Sequence, residues 1–212
     1  MSGVIVFDLG GTLMEFAGMP SYWCDCYYPG FKKVNRKYGL ELSEEKIETA
    51  AKIMTEYNPR VKYRENEIAP EVIFETATKS WNSNIPTDEI ITAFFDGLDL
   101  KPSIYDYSFE LIDFYKRHGY KTACLTDIPS GMPDALFRET IEALISQIDL
   151  YVSSQSCGYR KPNPYGLHYI AKYYKVRVND LLFTGDEEKD RITAERANCQ
   201  FISIKDLVSL PK

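Results

Sequence analysis

Val4-Ile5-Val6-Phe7-Asp8-Leu9-Gly10-Gly11-Thr12-Leu13 is the stretch on which the fold turns. Four consecutive apolar residues, three of them β-branched, suit a strand buried on both faces, as in a parallel sheet. The run stops at a carboxylate, and two adjacent glycines mark a tight loop. In open parallel sheets ligands gather at the carboxyl ends of the strands. Asp8 is therefore a candidate functional residue.

Downstream, residues 18 to 102 read as helical and punctuated. Tyr28 to Tyr38 is amphipathic and stops at Gly39. Ser43 suits an N-cap, with Glu44 and Glu45 in the first turn of a helix running to about Tyr57. Pro70 fits the first position of a helix reaching Trp81, and Thr87-Asp88-Glu89 opens another that ends near Gly97. After Pro102 the pattern alternates. Helices are expected over 108–118, 133–145, 164–174 and 187–197. Strands are expected over 121–126, 148–152, 181–184 and 200–204. Strands separated by helices imply right-handed crossovers and a parallel sheet. The expectation is an α/β protein with a doubly wound, Rossmann-like parallel sheet. Residues 1–15 and 103–212 form its core, and 16–102 form an inserted all-helical domain.

The chain has 212 residues, long enough to bury a core without disulfides or a structural metal. Its net charge of -6 supplies no basic field for nucleic acid. Five cysteines, at 24, 26, 124, 157 and 199, are an odd number and scattered, which suits reduced thiols. Cys24-x-Cys26 lacks zinc-finger spacing. The run before Asp8 follows no basic segment and is too short for a signal peptide. No window approaches the roughly 20 apolar residues of a membrane span. These features predict a cytoplasmic protein with no nucleic-acid or membrane partner, either monomer or homodimer.

The other expected strands also end in polar residues. The second ends at Thr126, and the fourth runs into Gly185-Asp186. Lys161 follows the third, in Gly158-Tyr159-Arg160-Lys161-Pro162. Adjacent strands would gather two carboxylates, a hydroxyl and an ammonium in one crevice. Carboxylates at close range repel unless a cation lies between them. Lys161 brings one positive charge, and magnesium would bring two while taking only one or two carboxylates plus water and phosphate oxygens. That combination fits phosphate handling.

These residues resemble the motifs of the haloacid dehalogenase-like hydrolases, in the subgroup with a helical cap inserted after the first motif. Val6-Phe7-Asp8-Leu9-Gly10-Gly11-Thr12-Leu13 is similar to the nucleophile motif, and Leu125-Thr126-Asp127 to the second. The stretch from Ser153 to Pro164 resembles the third, with Lys161 as its lysine. Phe183 to Asp190 resembles the fourth, with acids at Asp186 and Asp190. The resemblance implies a magnesium-dependent hydrolase of a small phosphorylated metabolite that passes through an aspartyl-phosphate on Asp8. It implies catalytic roles for Asp8, Thr126 and Lys161, and substrate contacts from Gly11, Thr126, Asp127 and Lys161. Magnesium would rest on Asp8, the Gly10 carbonyl and Asp186, with Asp190 supporting them.

One position departs from the pattern. Phosphatases of the family carry a second Asp two residues after the nucleophile as acid and base, and here that position is Gly10. Such a group is worth about 10²–10⁴-fold. Three alternatives stay open: a phosphatase that is slow, uses leaving groups needing little acid help, or recruits a cap residue; a phosphonatase-like C–P hydrolase; and a catalytically weak or inactive phosphate-ligand binding protein. The phosphonatase-like reading needs a cap lysine, for which Lys32, Lys33, Lys37, Lys46 and Lys52 are candidates. The dehalogenase branch works without magnesium, which the acidic fourth motif argues against. The aromatic-rich stretch from Met19 to Tyr28 either lines the chamber under the cap or packs the cap onto the core. Arg60, Lys62 and Arg64 either form a small basic cluster that meets an anionic substrate or, the reading favoured here, a charged loop whose charge Glu65 and Glu67 cancel.

Overall fold

The computed structural model describes residues 3–20 and 22–210. Residues 1–2 and 211–212, at the ends of the expected core segments, and Ser21 in the aromatic stretch lie outside them. The first strand, β1 (Val4–Phe7), is fully buried. It is followed by β2 (Met14–Ala17), then by helices α1 (Tyr27–Tyr38), α2 (Glu44–Glu56), α3 (Pro70–Thr78) and α4 (Thr87–Leu98), and by β3 (Lys101–Ile104). From there α5 (Ser108–Arg117), β4 (Lys121–Thr126), α6 (Asp134–Thr140), α7 (Glu142–Ile145) and β5 (Leu150–Ser153) follow. The chain closes with α8 (Ser154–Cys157), α9 (Tyr165–Tyr174), β6 (Leu181–Gly185), α10 (Glu188–Ala197), β7 (Gln200–Ser203) and α11 (Ile204–Ser209).

Five strands form one parallel sheet in the order β5-β4-β1-β6-β7. β1 lies at its centre, which is why its four residues are all apolar. Val4 and Val6 face one layer, with Leu167 and Ile170 of α9 and Ala194 of α10. Ile5 and Phe7 face the other, with Leu111 and Ile112 of α5 and Leu207 of α11. Helices on both faces make the sheet doubly wound, as the alternating pattern implies. The order places the ends of β4 and β6 on either side of the end of β1.

The four helices between β2 and β3 pack on one another around an aromatic cluster. Phe94 lies 4.8 Å from Phe31 and 5.2 Å from Phe74, ring centre to ring centre, and Trp81 lies 5.5 Å from Phe31. Ser43 caps α2, its hydroxyl accepting from the Lys46 amide at 3.4 Å. No helix of the described residues is long and apolar enough to cross a membrane. All five cysteines are free thiols.

The structure adds elements that the periodicity did not signal. β2 and β3 pair antiparallel as a two-stranded ribbon where the chain leaves and re-enters the sheet region. Four residues are too few to establish a period of two, and Pro102 tempts a boundary there. Proline is tolerated because both strands are edges. The helix expected over 133–145 divides at Ile141, whose φ of -113° and ψ of 20° interrupt it. Thr140 and Ile141 are both β-branched, and Ile141 is buried. The last expected strand gives way at Ile204 to α11, capped by the Ser203 hydroxyl accepting from Asp206.

Candidate active site

Asp8 leaves the central strand with its amide donating to Thr184 O of β6 at 2.9 Å. Its carboxylate is buried and meets the Lys161 ammonium at 2.6 Å through Oδ1. Its other oxygen lies 3.3 Å from the Thr12 hydroxyl, which stands 3.2 Å from Asp186 Oδ1. A hydroxyl has one proton, so Thr12 donates to one of these carboxylates at a time. Thr12 is itself pinned: Tyr107 OH donates to its carbonyl at 2.7 Å, and Ser108 Oγ to that of Leu13. The first motif is thus held from three elements.

The two glycines of this loop do different jobs. Gly11 has a φ of +77°, and a Cβ there would lie 2.3 Å from Asp186 Oδ2. Only glycine gives both the turn and the close approach. Gly10 is exposed, has no positive φ, and faces open space with no atom within 4 Å of a built Cβ. Nothing in the backbone requires glycine at position 10.

On the far side, the Lys161 ammonium also meets Asp190 Oδ1 at 2.6 Å. Asp190 is fully buried, and its Oδ2 accepts from the Glu187 amide at 3.0 Å, capping the start of α10. Both of its oxygens are therefore engaged by the protein. Burial pushes Asp8 up to about 7, against the pull of Lys161 and with the added charge of Asp190. Burial also raises Asp186, helped by the charges of Asp190 and Glu187. Burial works against the Lys161 ammonium, but Asp190 and Asp8 outweigh it and hold its pKa above the usual lysine value.

Asp8, Asp186 and Asp190 bring carboxylate oxygens within 4.8 Å of one another, with Asp186 the exposed member. Lys161 is the one ammonium in contact with these carboxylates, so the group as a whole is negative. The donor set is all hard oxygen, which suits magnesium. The residues present therefore fit that ion.

Thr126, at the end of β4, is buried and opens onto the same cavity as Asp8, Lys161 and Asp186. Asp127 takes the Lys161 amide on Oδ1 at 3.0 Å and the Lys189 ammonium on Oδ2 at 3.3 Å. Burial would raise Asp127, but Arg160, Lys189 and Lys161 outweigh it and hold its carboxyl below the usual value. The structure thus gathers Asp8, Gly10, Gly11, Thr126, Asp127, Lys161 and Asp186 around one cavity of about 590 Å³, with Asp190 behind Lys161.

Several neighbours carried no signal in the chain. Lys189 pairs with Glu187 at 2.9 Å as well as with Asp127. Glu187 also takes Arg60 from the helical segment. Arg160 holds Glu67 at 2.5 Å, both side chains 7% exposed, and backbone bonds from Glu67 N to Gly158 O and from Arg160 N to Glu65 O flank them. Glu67 also offsets Arg64 at 3.4 Å, as the charged-loop reading expected, but inside a half-buried joint and not in a solvated loop; Arg60 and Lys62 are the exposed members, and Arg60 and Arg64 line the cavity. Partners 93 residues apart leave no local pattern to find. Of the aromatic stretch, Met19, Pro20, Trp23 and Tyr27 line the cavity, while Tyr22 faces solvent and Tyr28 pairs with Glu44. None of the five candidate cap lysines lines it. Lys32 reaches Glu44, Lys33 the Gly97 carbonyl, and Lys37 Asp96.

The sheet order, a carboxylate at the end of the central strand and the acidic turn after β6 define an α/β protein with its site at the carboxyl ends of a doubly wound parallel sheet. The family model of the haloacid dehalogenase-like hydrolases matches residues 3–198, and the chain belongs to that family. A phosphoglycolate phosphatase of Aliivibrio fischeri is 22% identical over 112 residues, 52% of this chain and 48% of that protein. The match therefore spans about half the length of that curated relative. Among solved structures, a HAD phosphatase from Thermococcus onnurineus is similar with a TM-score of 0.60 at 15% identity, covering 95% of this chain and 85% of that one. A dehalogenase in an intermediate complex gives 0.55 at 16% identity, covering 100% and 88%. One fold thus carries both chemistries, and the site must choose between them.

Proposed function

We propose that the protein is a magnesium-dependent phosphohydrolase of a small phosphorylated metabolite, working through an aspartyl-phosphate on Asp8. The observation that carries this reading is the buried Asp8–Lys161–Asp190 chain, linked through the Thr12 hydroxyl to Asp186, which lines the cavity. An acidic group short of positive charge favours a metal-assisted phosphoryl site over a metal-free dehalogenase. The phosphatase name of the half-length relative points the same way.

An Asp8 oxygen attacks phosphorus in line with the leaving oxygen. The bond to the leaving group breaks, and its electron pair departs on that oxygen. Water then attacks the same phosphorus, the Asp8–phosphorus bond breaks, and inorganic phosphate leaves with Asp8 restored. Lys161 stays protonated and offsets the charge on Asp8 and the phosphoryl oxygens. The Thr126 hydroxyl and backbone N–H groups at Asp127 and near Gly11 orient the phosphoryl group. Asp190 acts through Lys161 and the start of α10, keeping the ammonium in place. When bound, magnesium would be held by Asp8, the Gly10 carbonyl and Asp186, and would neutralise phosphoryl charge. We assign residues 16–102 the role of a cap over the site, with the β2–β3 ribbon as its two connections.

The test is a panel of phosphate esters assayed with and without magnesium. Turnover that chelation abolishes and magnesium restores is expected. Turnover of none of them, with phosphonoacetaldehyde cleaved instead, would replace this reading.

A further inference from the structure

Resting on the reading just given, we propose that the substrate is an aryl phosphate, its ring held by a wall made of Trp23, Phe16 and Phe137. Two independent observations converge on this class.

The first is the shape and chemistry of the cavity beyond the phosphoryl end. Phe16 of β2, Trp23 just before α1 and Phe137 of α6 form a chain of edge-to-face rings. Phe16 stands 5.9 Å from Trp23 at 81° and 6.2 Å from Phe137 at 70°. All three line the cavity that contains Asp8. Phe16 and Trp23 are only half-buried, so ring surface remains open towards it. Aromatic rings prefer edge-to-face and offset contacts, and a fourth ring would extend this chain. Met14 and Met19 border the same space and offer adaptable apolar contact.

The second is Gly10. It has no side chain to donate a proton, although open space there would admit one. A sugar or alkyl alkoxide needs that proton as its bond to phosphorus breaks. A phenol, with a pKa near that of tyrosine at about 10, departs as phenolate with the electron pair of the broken bond and takes its proton from water afterwards. A site without the acid and with a ring-binding wall suits the same class of leaving group.

Calorimetric titration of the full chain in magnesium with phenylphosphonate and methylphosphonate separates ring recognition from leaving-group chemistry. Neither is cleaved by the proposed mechanism, and they differ only in the ring. Phenylphosphonate is expected to bind roughly 10- to 100-fold tighter, the scale of burying one ring. Trp23→Ala and Phe16→Ala should each cut that ratio several-fold. Equal affinities in the wild type, or a ratio unchanged in both variants, would overturn the aryl assignment. In parallel, phenyl phosphate should exceed acetyl phosphate in kcat/KM, although acetate is the better leaving group. If both phosphonates bind alike while phosphate esters turn over, the aryl class fails and the phosphohydrolase reading stands. If neither phosphonate binds and no ester turns over, both fall together.

Discussion

The two ends of the cavity are built in opposite ways. At one end, Asp8, Lys161, Asp190, Asp127 and Lys189 are tied into ion pairs of 2.6 to 3.3 Å. At the other end, the wall comes from the ribbon, the turn before α1, and α6, three pieces with no shared backbone pairing. The first end is a network of ion pairs, and the second presents aromatic rings, with Arg60 and Arg64 also on the cavity lining. On the proposed function, reaction would reside in the first end and selectivity in the second, so substitutions should separate them.

The largest effect expected from breaking the phosphoryl end belongs to Lys161. Lys161→Met would leave Asp8 and Asp190 facing each other without their shared cation. A loss of about 10³-fold or more in kcat/KM is expected on every phosphate ester, aryl or alkyl. Initial rates across the panel check this, and a loss confined to one leaving-group class would erase the division between the two ends.

Gly10 lies between the ends and sharpens the comparison. Its backbone has no positive φ and its Cβ position is clear, so Asp fits there without strain. Gly10→Asp should raise alkyl-phosphate turnover by about 10²–10³-fold and change aryl phosphates less. Gly10→Asn has the same bulk and no acid. Equal rates for the two variants on alkyl phosphates would show that a missing acid limits nothing. Gly11 makes the contrast, since any side chain there meets Asp186.

The smallest effect lies outside the cavity. Asp149 accepts from the Thr122 amide and hydroxyl at 2.9 and 3.1 Å, and Lys116 approaches at 3.3 Å. Burial would raise its carboxyl, but these partners outweigh burial and hold it below the usual value. A depressed folded-state pKa stabilises above the unfolded value near 3.9 and is lost as pH falls through the folded one. Asp149→Asn should cost of order 1 kcal/mol at pH 7 and less at pH 3. Urea denaturation at both pH values reads it, and kcat should stay put.

The legibility of the sequence follows the same line. Strands buried on both faces are continuous apolar runs, and a polar residue that ends one is conspicuous, as Asp8 and Thr126 were. The sheet and the polar end of the cavity could be read on that basis. Thr12 was not, because a threonine inside a motif looks like loop filling until its hydroxyl is found between two carboxylates. Lys189 sits beside Asp190 on a helix start, and no period says which neighbour turns inward. The Arg160–Glu67 joint and the Phe16–Trp23–Phe137 wall bring together residues distant in the chain, where local pattern carries no information. The ribbon strands were too short to declare a period.

The central claim is that Asp8 carries the phosphoryl group. Rapid acid quench of the wild type with phenyl phosphate and magnesium, followed by peptide mass spectrometry, tests it most directly. A phosphoryl mass increment labile to hydroxylamine is expected on the peptide containing Asp8, with neither label nor turnover in Asp8→Asn. Full turnover by folded Asp8→Asn would contradict it.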